Sequence, residues 1–171
     1  MKKTLVIHPQ DPTTEFLCGI YEGLGFDEKR TNFNWLSMFL LIPKYDRIIL
    51  LGHGSPTGLA QYSDTIIDKT HHSVLQGREV IAIWCHAKSY MEEFGLRGFY
   101  TDMFISEVLE AKHFNVTATQ NQIDESNQLF AQLVRNNLDS PNRLNQILIG
   151  YQSKQNQVIK FNNQRLFDNA A

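Results

Sequence analysis

Residues 47–59 read RIILLGHGSPTGL. An apolar run of isoleucine and leucine ends in a histidine held between two glycines, and a Ser-Pro-Thr-Gly turn follows. A second run of the same kind, EVIAIWC at residues 79–85, ends in a cysteine. Short continuous apolar runs bounded by turn residues suit strands buried on both faces, and such strands belong to parallel sheets.

KTLVIH at residues 3–8 predicts the first strand. Residues 11–24, DPTTEFLCGIYEGL, predict a helix with Asp11 as N-cap and Pro12 at the first helical position. Residues 32–44, NFNWLSMFLLIPK, predict a second helix ended by Pro43. After Cys85, the stretch 98–114 reads as a loop leading into a helix, with Asp102 as its cap. NVTAT at 115–119 predicts a brief strand, DESNQLFAQLVRNNL at 124–138 a helix, and Ser140 and Pro141 open another. QVIKFNNQRLF at 157–167 predicts a terminal strand. Strand and helix alternate, so the expected fold is α/β, a three-layer sandwich with a mainly parallel central sheet, in one domain over residues 1–171.

Composition narrows the function. The chain has 171 residues, 42% hydrophobic and 20% charged, with a formal charge of -2. That suits a single soluble globule with a real core. There is no basic stripe, hence no electrostatic case for nucleic acid or an anionic membrane. No apolar run is long enough to span a bilayer, and MKKTLVIHPQD is too short in its apolar part for a signal peptide core. Cys18 and Cys85 form no CxxC pair and no Cys/His cluster, so a reduced, cytoplasmic setting without zinc or disulfides is expected. Nothing in the sequence specifies an oligomeric state.

Ligands of open α/β sheets bind outside the carboxyl ends of the strands. His53 and Cys85 both stand at such ends. If the two strands are neighbours, the side chains share one edge of the sheet. A thiol near an imidazole loses its proton more readily, and the thiolate is the nucleophile. Gly54 leaves room beside His53 for its N–H to face a substrate carbonyl, and the N–H of Cys85 is a second oxyanion donor.

A strand ending in GHG, followed by a strand ending in cysteine, resembles the caspase-hemoglobinase fold of cysteine peptidases, which includes caspases, gingipains, clostripain, separase and CHAT domains. The resemblance implies a cysteine peptidase or related acyl-transfer hydrolase acting on a peptide or protein, with His53 as general base and Cys85 as nucleophile, Gly54, Ser55 and His86 near the oxyanion or binding pocket, and no cofactor. The chain departs from that pattern after the cysteine, where CHAKSY carries the bulky His86 in place of a small residue. Two other readings stay open: an inactive caspase-like binding or scaffolding domain, and a flavodoxin-like domain binding a small ligand at the same edge. Cys85 as a small buried hydrophobe and His53 as a turn residue are the bland counterparts.

Other motifs fail on spacing. Ser55 lacks the flanking glycines of a nucleophile elbow, having His53 and Thr57 at those positions. GHGSPTG is followed by no lysine, so it is not a Walker loop, and GLGF at 23–26 lacks the dinucleotide spacing. His71 and His72 would need a third partner to hold a metal. Cys18, beside Leu17 and one turn from Tyr21, is expected to be buried and inert.

Overall fold

The computed structural model describes residues 2–152 and 156–169. In chain order its strands and helices are β1 (Thr4–Ile7), β2 (Asp27–Lys29), α1 (Trp35–Leu41), β3 (Arg47–Leu51), β4 (His53–Ser55), β5 (Gly58–Gln61), β6 (Asp64–Ile67), α2 (His72–Leu75), β7 (Glu79–Ile83), α3 (Ala87–Glu93), β8 (Phe99–Thr101), α4 (Val108–His113), α5 (Gln120–Asn136), α6 (Arg143–Gln152), α7 (Gln157–Asn163) and β9 (Leu166–Asp168). Six strands form the main sheet in the order β2-β1-β3-β7-β8-β9. All its pairs are parallel except β8 with β9. A separate three-stranded antiparallel sheet, β4-β5-β6, fills part of the connection from β3 to β7.

The two apolar runs are neighbours: β3 pairs with β7 in parallel from Arg47 opposite Glu79 to Leu51 opposite Ile83. Side chains alternate across a strand, and here both alternating sets are apolar. Leu5, Ile7, Ile48, Leu50, Val80, Ala82 and Trp84 pack on one face with Met38, Ile42, Leu75, Tyr90 and Met91. Val6, Ile49, Leu51, Ile81 and Ile83 pack on the other with Leu17, Ile20, Phe130, Val134, Ile147 and Tyr151. Helices therefore cover both faces, giving three layers.

Several local expectations change. Residues 15–20 form a 3-10 helix, not an α-helix; Leu17 and Ile20, three apart, lie on one side of such a helix and are buried together. Phe99–Thr101 is not a loop but a buried strand between β7 and β9. NVTAT forms no strand. Thr119 instead caps α5 through a capping box with Gln122. QVIKFNN is helix α7, because the Asn156 side chain accepts from Val158 N while Val158, Ile159 and Asn162 bury one face; only Leu166–Asp168 is strand.

The amino edge of the sheet is closed by charge. Glu79 bonds Arg47 at 2.6 Å, Arg143 at 2.8 Å and Lys2 at 2.8 Å. Burial alone would raise Glu79, but these three cations outweigh it and hold its carboxyl at about 2. Arg47 also bonds Asp139 and Arg143 bonds Asp168. A groove of about 660 Å³ opens here, yet its charged walls pair off with one another. Among the described residues no helix is long and apolar enough to cross a membrane.

Candidate active site

The opposite, carboxyl edge carries the predicted pair. Gly52 turns the chain out of β3 with φ +141°, a value that favours glycine, while its N–H still bonds Ile83 O at 3.1 Å. His53 follows as the first residue of β4. Cys85 leaves β7 two residues after Ile83, and His53 and Cys85 both line a cavity of about 20 Å³ together with Phe16, Phe104 and Ser106. That is room for about one water.

His53 is held by residues that lay outside the sequence motif. Thr13 Oγ1 is 2.7 Å from His53 Nε2 and 2.6 Å from Asp11 Oδ1. A carboxylate only accepts, and the Thr13 hydroxyl and backbone N–H hold the Asp11 carboxyl below the usual carboxylate range. The Thr13 proton is therefore committed to Asp11, and Thr13 Oγ1 accepts from His53 Nε2–H. The lone pair of the imidazole then sits on Nδ1. His53 Nδ1 thus keeps a free lone pair, and a carboxylate stands behind Nε2, relayed by one hydroxyl.

Cys85 differs from expectation. Its thiol lies 3.8 Å from Phe104 O and 3.9 Å from Glu110 Oε1, and its hydrogen bonds among the described residues include none to His53. Burial first, then the Glu110 carboxylate, pushes the thiol up to about 11. A neighbouring imidazole would lower it; in this conformation burial and the Glu110 carboxylate keep the group a protonated thiol. Glu110 is fixed there because its Oε2 accepts from Ser106 N at 2.7 Å and Glu107 N at 3.1 Å.

The remaining expected residues carry structural contacts of their own. Gly54 is glycine for packing: a Cβ there would enter the Trp84 ring and lie 2.5 Å from Gly58 O. Trp84 Nε1 in turn donates to Ser55 O at 3.0 Å, which ties β4 to β7. Gly54→Ala should therefore cost about 1–3 kcal/mol, as overpacking does, measured by urea unfolding; an unchanged midpoint would remove this account. The Ser55 hydroxyl accepts from Thr57 N and builds the turn. His86 adopts the left-handed conformation, φ +67°, where a glycine would sit without cost, and its Nδ1 is 3.2 Å from Asp102 Oδ1. Asp102 is thus a histidine partner and not a helix cap. His71 is buried beside Asp68. Cys18 packs against the apolar cluster of Leu17 and Ile20 as expected but is only half-buried, and its Sγ also meets polar groups, 3.2 Å from Tyr21 Oη. Among the described residues no three His, Cys, Asp or Glu side chains group as metal ligands. Comparison with protein-family models, with curated proteins and with solved structures gives no match for this chain.

Proposed function

We propose that the chain is a cysteine hydrolase of caspase-like architecture acting on a peptide or related acyl substrate. One observation carries this reading: His53 and Cys85 line the same cleft at the carboxyl ends of adjacent parallel strands. A base acts directly or through one water, and the cleft has room for that. His53 Nδ1 takes the thiol proton as Sγ bonds the substrate carbonyl carbon. Gly54 N–H and Cys85 N–H face the oxyanion. The imidazolium returns its proton to the leaving amine as the carbon–nitrogen bond breaks, and water then cleaves the thioester to free Cys85. Because the resting thiol is protonated, deprotonation belongs to the attack itself and no ion pair is stored beforehand. Residues 104–106 must draw back for a carbonyl to enter.

The closed cleft and the raised thiol favour a second reading, a silent binding or scaffolding domain. A flavodoxin-like ligand site has less support. The run β2-β1-β3-β7-β8 of the main sheet follows the flavodoxin-like strand order, with a crevice expected between β1 and β3, but His8 at the end of β1 is fully buried against Tyr21 and Thr14. A peptidyl acyloxymethyl ketone decides between hydrolase and silent domain. The expected result is covalent labelling of Cys85, lost in Cys85→Ala and slowed about a hundredfold in His53→Ala. Labelling that His53→Ala leaves intact and His86→Ala slows would move the base to His86; no labelling of Cys85 would leave the silent domain.

A further inference from the structure

Residues 104–106 cover Cys85 and run between β8 and α4 outside any helix or strand. The Phe104 carbonyl already faces the thiol, 3.8 Å from Sγ, and the space left holds about one water. Among the described residues, no backbone–backbone hydrogen bond holds Phe104, Ile105 or Ser106. Side chains fasten the segment instead. Asn162 on α7 accepts from Ile105 N at 2.8 Å and donates to Ile105 O at 2.9 Å. Asn127 on α5 donates to Ser106 O at 3.0 Å, and Glu110 on α4 accepts from Ser106 N at 2.7 Å. Ile105 packs away from the sheet, in a small cluster with Ala111, Ile123 and Val158, all from helices. Asn127 Oδ1 is buried without a partner. Turning that amide over would set oxygen against oxygen at Ser106, so the vacant atom is the acceptor.

We propose that residues 104–106 are an autoinhibitory strap, latched by Asn162 and Asn127, whose release opens the way to Cys85. Release breaks side-chain bonds only, so no sheet ladder or helix is lost, and the main sheet stays covered on both faces. The closed form also carries a cost of its own. Buried polar atoms are paired in the great majority of cases; Asn127 Oδ1 gains water when the strap lifts, and opening recovers a hydrogen bond that closure forfeits. Phe104 opposes release, because its ring packs on Phe130 with centroids 4.6 Å apart, and this keeps the closed form dominant. The strap rests on the hydrolase reading for its purpose, since it governs entry to the nucleophile, but its opening is a property of the fold.

The test follows opening in the full chain by two readouts: amide hydrogen exchange at Ile105 and Ser106, with Ile81 in the middle of β7 as the reference for global unfolding, and iodoacetamide alkylation of Cys85 read by peptide mass. In the parent, Ile105 and Ser106 should exchange at least about tenfold faster than Ile81. Asn162→Ala strands both Ile105 groups in the closed form alone, and should raise Ile105 exchange and Cys85 alkylation by the same factor, about tenfold or more. Asn162 is fully buried, so Asn127→Asp serves as a second variant; it keeps the side-chain shape, removes the donor to Ser106 O, and should move both readouts the same way. Ile7→Val is the control, since Ile7 packs on the face of the sheet away from Phe104. It should speed Ile81 about threefold and leave Ile105 and Cys85 unchanged. All rates are compared at one pH, so the protonation of the thiol cancels. Ile105 exchanging no faster than Ile81, or Ile7→Val accelerating all three sites alike, would mean that the segment leaves only when the whole chain unfolds, and overturns the strap. Alkylation at the parental rate in both asparagine variants overturns it as well. None of these readouts needs hydrolysis, so they hold in a chain that never acylates; a ketone that fails to label Cys85 in an opened Asn162→Ala protein counts against the hydrolase alone.

Discussion

Cys85 should alkylate with a pH midpoint near 11 and react slowly at neutral pH. The physical cause is the closed pocket, which strips water from the thiolate, with the Glu110 carboxylate 3.9 Å away adding repulsion. The midpoint lies about two pH units above the ordinary value of 9.0, so the thiolate fraction at pH 7 falls about a hundredfold. A more basic thiolate is also more nucleophilic, which offsets part of this and leaves a rate about tenfold below a free thiol. Glu110→Gln keeps an oxygen for the N–H groups of Ser106 and Glu107 and removes the charge. It should move the midpoint down and speed alkylation. Iodoacetamide profiles from pH 6 to pH 12 on parent and variant read both effects; a parent midpoint at or below the ordinary value would mean that the cleft is open and the thiol solvated. Such an outcome would change the proposed mechanism from proton transfer during attack to a stored thiolate.

Acid should destabilise the fold through His8. This side chain is fully buried, with Nδ1 3.0 Å from Tyr21 Oη and Nε2 3.3 Å from Thr14 Oγ1. Burial first, then the nearby Arg30 guanidinium, lowers it to about 4 from an unfolded value of 6.5. The unfolded chain therefore binds a proton that the folded chain refuses. The stability tied to neutral His8 is fully present above pH 6.5, falls as the pH drops below it, and is gone near pH 4. The shift corresponds to about 3 kcal/mol at 1.36 kcal/mol per pH unit, a large fraction of a domain's stability. His8→Gln keeps a polar group without a titration. Urea unfolding at pH 7 and pH 4.5 should show a steep loss in the parent and a flatter profile in the variant. Equal pH slopes in both would place the acid sensitivity at a group other than His8.

Both predictions concern residues whose importance the linear sequence conceals. His8 reads as the last residue of the first predicted strand. Glu110 lies in a helical stretch with nothing to connect it to Cys85. Asp11 and Thr13 look like the start of a helix, and only the adjacency of β1 and β3 brings the loop after β1 onto His53. No periodicity reports that adjacency, because strand order is set by how whole elements pack and not by any one segment. The three-residue strands are hidden for a related reason: β8 and β9 are too short to show alternation, and they are strands because neighbours accept their hydrogen bonds.

The central sheet is encoded in local pattern. RIILL and EVIAI are apolar on both alternating sets, so each had to be covered on two faces, and a parallel sheet between helices follows. His53 and Cys85 then had to leave the sheet at its carboxyl edge, since each ends such a run. Tertiary structure alone decided the chemical state of the pair. The Asp11–Thr13 relay that holds the imidazole, and the burial and Glu110 carboxylate that keep the thiol protonated, arise from contacts between distant segments. Proton affinity responds to burial and to charges a few ångströms away in space, and those distances exist only once the chain has folded.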